Sequence, residues 1–221
     1  MAYKLSPSSL SLLKDCPRCF WLHFRKGIKR PEHVFPSLPA GMDRIFKKHF
    51  DSFGERGLLP PELKQLKKLH PFEDKELLSV WRNNLKGIHW MDKEGNLFRG
   101  AVDSILQTGK KLVVVDCKTR GFDLKKDTHE NYRDQMDIYN WLLRKNGYET
   151  EDYSLLLFYY PDKVNENGDV LFRHKLVRIE TSTNNAERLF QEAIETLQGE
   201  MPESSTNCNY CKWAKDSFLL H

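Results

Sequence analysis

Lys111-Leu112-Val113-Val114-Val115-Asp116-Cys117-Lys118 is the stretch on which the reading of the fold turns. It is β-rich, and side chains on a strand alternate between faces, so Asp116 and Lys118 project together while Val115 and Cys117 point the other way. A second β-rich run, Leu97 to Leu106, precedes it, and Gln107-Thr108-Gly109 between them reads as a hairpin. Asp103 lies in that first run, within Gly100-Ala101-Val102-Asp103, where small residues leave room for a ligand near the backbone. The pair of strands therefore carries two carboxylates and a lysine that can converge.

Working outward, Tyr132, Met136, Tyr139, Leu142 and Leu143 recur at helical spacing from Asn131 to Lys145, and Gly147 lies where a C-terminal stop falls. Gln135 and Tyr139 are four apart, on one face of that helix. Strands are expected at Tyr153 to Tyr160 and Val170 to Glu180, joined by turn residues Asn165 to Asp169, and a helix from Asn184 to Leu197 closes the chain. Upstream, Ser6-Pro7 starts a short helix that ends near Cys16-Pro17. Arg18 to Arg30 is an aromatic and basic stretch. Met42, Ile45, Phe46, His49, Phe50 and Phe53 form the buried stripe of another helix, stopped by Gly54 and Gly57. Residues from about 58 to 88, opening at Pro60-Pro61, read as a helical insertion. The fold class is α/β (α+β), a mixed central sheet flanked by helices, within a single domain spanning 1–221.

A chain of 221 residues suits one buried core. Both charge signs are interspersed, which excludes a fibrous or disordered chain. The formal net charge of +4 fits a polyanionic partner without selecting one. No apolar run reaches the roughly 18 to 20 residues of a membrane span, and the first residues lack a secretory layout, so a cytoplasmic protein is expected.

Oxygen ligands such as Asp103 and Asp116 suit Mg²⁺ or Mn²⁺. Phosphodiester hydrolysis needs a hydroxide near neutral pH and neutralised phosphoryl oxygens, both of which divalent ions provide, and Lys118 is placed to orient water and offset charge. Taken alone, an Asp-x-Lys is more often a surface ion pair at an edge strand, and a Tyr at helical spacing is more often core. The ordered set is what separates these readings. Leu5-Ser6-Pro7-Ser8-Ser9-Leu10 leading to Cys16-Pro17, Gly100-Ala101-Val102-Asp103, Asp116-Cys117-Lys118-Thr119, Gln135-Met136-Asp137-Ile138-Tyr139 and Cys208-Asn209-Tyr210-Cys211 together resemble the RecB-like branch of the PD-(D/E)XK nucleases, including the CRISPR-associated RecB-like exonucleases.

That resemblance implies a restriction-endonuclease-like core and a DNA nuclease, with Asp103 and Asp116 as metal ligands, Lys118 assisting water, and Gln135 and Tyr139 positioning site and strand. It also implies a further ligand from an upstream helix. Here Gly41-Met42-Asp43-Arg44-Ile45 departs from the family's Gly-x-x-x-His, which makes Asp43 the first choice and His49 the alternative. The expected action is on single-stranded DNA or DNA ends, as an exonuclease, in repair, recombination or CRISPR adaptation, with protein partners in such a complex.

Cys16/Cys19 and Cys208/Cys211 form two Cys-x-x-Cys pairs, a metal spacing that would staple the two ends of the chain. Tetrahedral Zn²⁺ and an iron-sulfur cluster both accept four thiolates. The resemblance leans towards a 4Fe-4S cluster, although the family places one such cysteine N-terminally and three C-terminally, and Zn²⁺ is the alternative. Cys117 reads as a small buried residue. Arg25, Lys26, Lys29 and Arg30 are candidates for a basic DNA groove, and Trp21, Phe20 or Tyr132 for stacking on bases. Rival readings are a DNA-binding or complex-assembly subunit that keeps the fold with little independent activity, and a metal-stapled interaction module in which the Asp-x-Lys is incidental.

Overall fold

The computed structural model describes residues 2–31 and 37–218. Its centre is a five-stranded mixed sheet in the order β2 (His70–Pro71), β5 (Ser104–Thr108), β6 (Lys111–Thr119), β7 (Tyr153–Val164), β8 (Val170–Glu180). β6 and β7 run parallel, and the connection between them carries helix α5 (Arg133–Lys145); the remaining pairs in this sheet are antiparallel. A parallel pair needs such a crossover, and here it lays α5 against the face of β6 that bears Asp116. A smaller sheet, ordered β1 (Lys4–Leu5), β4 (Leu97–Gly100), β3 (Ile88–Met91), adjoins α5.

Burial splits along the alternation of β6. Leu112 and Val114 pack with Met136, Tyr139 and Leu142 of α5 and with Phe190 and Ala193 of helix α6 (Thr183–Gln198). Val113 and Val115 pack on the opposite face with Leu155 and Leu157, covered by Phe50 of helix α3 (Ser37–Gly54). The β5–β6 hairpin turns through Gly109, whose φ of +57° suits glycine, one position beyond the centre expected. At the β7–β8 turn, the Asn165 side chain accepts from the backbone N–H of Asn167 and of Asp169.

Helix α1 (Pro7–Asp15) starts on the Ser6 cap as its sequence indicates, and Ser6 and Ser9 cap reciprocally. The aromatic stretch after it is a helix, α2 (Pro17–Lys26), closed by Gly27 at φ +69°. Residues 58–88 hold helix α4 (Lys75–Arg82), but they also supply β2, paired to β5, so this stretch is built into the sheet edge. The final helix, α7 (Asn209–Phe218), begins within the second cysteine pair. No helix among the described residues is long and apolar enough to cross a membrane.

One expectation fails here. Leu97 to Leu106 is not one strand: β4 and β5 belong to different sheets, and residues 101–103 turn between them. Val102 N–H donates to the Trp81 carbonyl instead of to a strand neighbour. Nor does the space beside Gly100 await a ligand, because a Cβ there would lie 2.7 Å from Cε1 of Tyr139. The aromatic ring fills it.

Candidate active site and cysteine centre

Asp116 sits near the end of a strand covered on both faces and is 2% exposed. Burial pushes its carboxyl up to about 7, against the pull of the Lys118 ammonium and aided by the charge of Asp103. Lys118 Nζ lies 2.7 Å from Asp116 Oδ2 and donates to Gln135 Oε1 at 3.1 Å. The same ammonium stands 4.8 Å from the ring centre of Tyr132. Gln135 Nε2 donates to Tyr139 Oη at 2.7 Å and reaches Asp116 Oδ1 at 3.4 Å. One α5 amide thus links acid, lysine and tyrosine, as spacing on the helix allows.

Asp103, released from the strand by the turn at 101–103, directs its side chain at β6. Its Oδ2 accepts from the backbone N–H of Cys117 at 3.0 Å, and its Oδ1 meets Lys47 Nζ at 3.0 Å. Lys47 also contacts Asp43 Oδ2 at 3.0 Å, so one α3 ammonium bridges both carboxylates. Arg82 of α4 donates from Nε to the Asp103 carbonyl and from Nη1 to Asp51, fixing the turn from outside. Two neighbouring carboxylates, one of them buried, are a donor set that fits a hard divalent cation. Lysines supply the positive charge at those oxygens in this structure.

At the chain ends, the four cysteine sulfurs all lie within 4.8 Å of one another. Sγ separations are 3.8 Å for Cys16–Cys211 and 3.6 Å for both Cys19–Cys208 and Cys19–Cys211. None of the five cysteines is in a disulfide. Burial works to raise the Cys16 thiol, but N–H groups of Cys19 and Ser205 and neighbouring thiols bring it down to about 6. Arg30 donates to Cys208 Sγ at 3.5 Å and pairs with Asp15, placing a cation against the sulfurs. Cys16 is thereby favoured as a thiolate, the form that binds metal, whereas burial raises the Cys19 and Cys211 thiols.

A sequence profile of the PD-(D/E)XK nuclease superfamily matches residues 40–215. The chain belongs to that superfamily. No curated protein matches it. In this PD-(D/E)XK nuclease the matched span runs from α3 into α7, so it takes in Asp103, Asp116, Lys118 and the second cysteine pair and leaves out Cys16 and Cys19. PD-(D/E)XK nucleases as a class use divalent metals, in keeping with the carboxylate pair.

The two upstream candidates separate. Asp43 joins Asp103 through Lys47, whereas His49 Nε2 lies 3.1 Å from both Glu62 oxygens, and Glu62 Oε1 also accepts from Tyr159 Oη at 3.0 Å. Among the described residues His49 makes no contact with Asp103 or Asp116. The nuclease's expected basic groove also divides. Arg25 donates to Tyr3 and lies against Trp21, as Lys26 does, and Arg30 serves the cysteine centre. Phe20 is fully buried, and Trp21 is buried with its Nε1 donating to Gly199, which removes both as base-stacking surfaces. Tyr132 alone of the three aromatics stands at the active site. Lys47 and Glu62 escaped the sequence reading; the only signal for Lys47 is its position four residues after Asp43.

Proposed function

We propose that this nuclease hydrolyses DNA phosphodiesters with Mg²⁺ or Mn²⁺ at Asp103 and Asp116, with Asp43 as the third candidate ligand. The observation that carries this reading is the closed arrangement of Asp116, Lys118 and Gln135 beside Asp103, reached from three separate elements. Asp103 and Asp116 would hold the divalent ion, which would supply polarisation of the phosphoryl group and easier deprotonation of water. Lys118, ion-paired to Asp116 and held by Gln135, orients the attacking water and offsets negative charge as it develops. Tyr139 fixes the Gln135 amide. A free thiol set is consistent with a cytoplasmic enzyme, and the RecB-like motifs support action on single strands or ends, as an exonuclease working with partners in repair, recombination or CRISPR adaptation.

For the cysteine centre, three separations of 3.6–3.8 Å, in a set whose four sulfurs all lie within 4.8 Å of one another, favour one tetrahedral ion. Four thiolates at ~2.3 Å around Zn²⁺ stand ~3.8 Å apart, whereas a four-iron cube seats one iron under each sulfur and spreads the sulfurs further. Zn²⁺ is therefore the occupant we favour over a 4Fe-4S cluster. Its role is structural, joining α2 to α7.

The test is cleavage of end-labelled single- and double-stranded DNA by anaerobically purified protein, with Mg²⁺, Mn²⁺ or no added metal, beside Lys118→Ala. Metal-dependent cleavage that the folded variant lacks supports the reading. A folded, metal-replete protein that binds DNA without cutting it would instead be a binding or assembly subunit. Elemental analysis of the same preparation distinguishes one zinc per chain from four irons.

A further inference from the structure

We propose that a basic cavity, between the segment following β6 and strand β8, seats the backbone of a single-stranded polynucleotide leading away from the reacting phosphate; this rests on the nuclease reading above. The cavity is about 290 Å³, and Lys125, Lys126, His129, Lys175 and Arg178 line it with no acidic residue among the lining side chains.

Its position follows from sheet register. Lys118 on β6 pairs with Phe158 on β7, and Phe158 pairs with Lys175 on β8. Residues paired across strands share a face, so Lys118, Phe158 and Lys175 form one row. Two strand spacings of about 4.8 Å put Lys175 roughly 10 Å from Lys118 on the surface that carries the reacting groups. At ~3.4 Å per stacked nucleotide, and more when extended, that is a reach of a few nucleotides. Phe158 floors the cavity and lies 5.8 Å, ring to ring, from Tyr132, whose face holds the Lys118 ammonium.

Three of the cations are free to serve a phosphate. Arg178 pairs with Glu180 and covers Tyr153, and His129 meets Glu130, which also binds Arg133. Lys125, Lys126 and Lys175 are exposed, and among the described residues none is in an ion pair. Lysine on β8 has another use, since β8 is a sheet edge and charge there discourages pairing with other chains. Edge protection does not account for Lys125 and Lys126, which reach the same cavity from a different segment. That segment also carries Phe122, 81% exposed, between the catalytic strand and Lys125. An aromatic ring left in solvent beside a phosphate path is suited to stacking an unpaired base.

The experiment measures binding apart from cleavage. In a Lys118→Met background, the anisotropy of fluorescein-labelled oligothymidylate is titrated across a salt series. Replacing Lys125, Lys126 and Lys175 with Gln is expected to lower the slope of log affinity against log salt by about 2, since each single-strand phosphate contact contributes ~0.7. Phe122→Ala is expected to weaken binding about fivefold or more while leaving the slope unchanged. Lys93→Gln with Lys110→Gln, exposed elsewhere, is the control. An unchanged slope in the triple variant, or an equal loss in the control, overturns the proposal, and does so even if the wild-type chain cleaves DNA, in which case the nuclease reading stands alone. Tighter binding of a blunt duplex than of the single strand, insensitive to Phe122→Ala, likewise overturns it.

Discussion

Gly100→Ala tests the link between the packing of this fold and its chemistry. The added Cβ would lie 2.7 Å and 2.9 Å from Cε1 and Cδ1 of Tyr139 and 3.2 Å from Leu142 Cδ1. Carbon contacts are comfortable at ~3.5–4.0 Å, so the ring must retreat by about 1 Å. It has little space, because Tyr139 is 4% exposed within the main core. Overpacking of this kind costs about 1–3 kcal/mol, which in a chain of this length lowers the melting temperature by roughly 2–4 °C per kcal/mol. The same retreat pulls Tyr139 Oη from Gln135 Nε2, now 2.7 Å away, and Gln135 is what holds Lys118 from the helix side. A misplacement near 1 Å at a catalytic group costs about 10²-fold in rate. Calorimetry and single-turnover cleavage of labelled DNA should therefore both move. Tyr139→Val removes the two ring atoms that clash, so Gly100→Ala added to it should cost under about 0.5 kcal/mol more. A Gly100→Ala protein with wild-type melting and cleavage, or a double variant whose losses simply add, would refute the argument.

Lys118→Met should reduce cleavage by about 10²–10³-fold with far-ultraviolet dichroism unchanged, the loss expected for one positioned charge-stabilising donor. Cys19→Ser and Cys208→Ser should each abolish stoichiometric metal retention in elemental analysis and lower the melting temperature, while Cys117→Ser, outside that centre, keeps the metal. For Glu62, burial raises the carboxyl, but its own backbone N–H, His49 and Tyr159 outweigh it and hold the group below its usual value. Its stabilising effect is therefore present above the unfolded value near ~4.3 and lost as pH falls through the lower folded value. In urea titrations Glu62→Gln should be less stable than wild type by about 1 kcal/mol at pH 7, with the gap closing below about pH 4; a gap constant from pH 7 to 3 would rule this out.

How far the sequence discloses the site depends on the range of the forces involved. Asp116, Lys118, Gln135 and Tyr139 converge through strand alternation and helical spacing, both local, and these were readable. The turn at residues 101–103 was not, because Gly-Ala-Val is compatible with a continuing strand. What breaks it is nonlocal: the Tyr139 ring against Gly100 and the Trp81 carbonyl on Val102 N–H. Lys47 and Glu62 belong to contacts of the same kind, since a lysine four residues from an aspartate reads as an ordinary helix-surface pair until Asp103 arrives from the turn between the two sheets. β1 and β2, two residues each, are too short to show periodicity. The cysteine spacing gave the centre but not its occupant, because Zn²⁺ and an iron-sulfur cluster both accept four thiolates.

The failed strand reading also explains why the site is where it is. Had Leu97 to Leu106 continued as one strand, Asp103 would be bound to pairing geometry, its side chain fixed by alternation on one face of the sheet. By leaving the small sheet at Gly100 and entering the large one at Ser104, the chain frees three residues, and Asp103 Oδ2 can accept the Cys117 N–H between Asp116 and Lys118. The stretch around α4 makes this stable, because Trp81 and Arg82 take up Val102 N–H and the Asp103 carbonyl that strand pairing would have used. Residues that read as an insertion are thus the support for the carboxylate. Loss of the Arg82 contact should accordingly be felt at Asp103 before it is felt in the core.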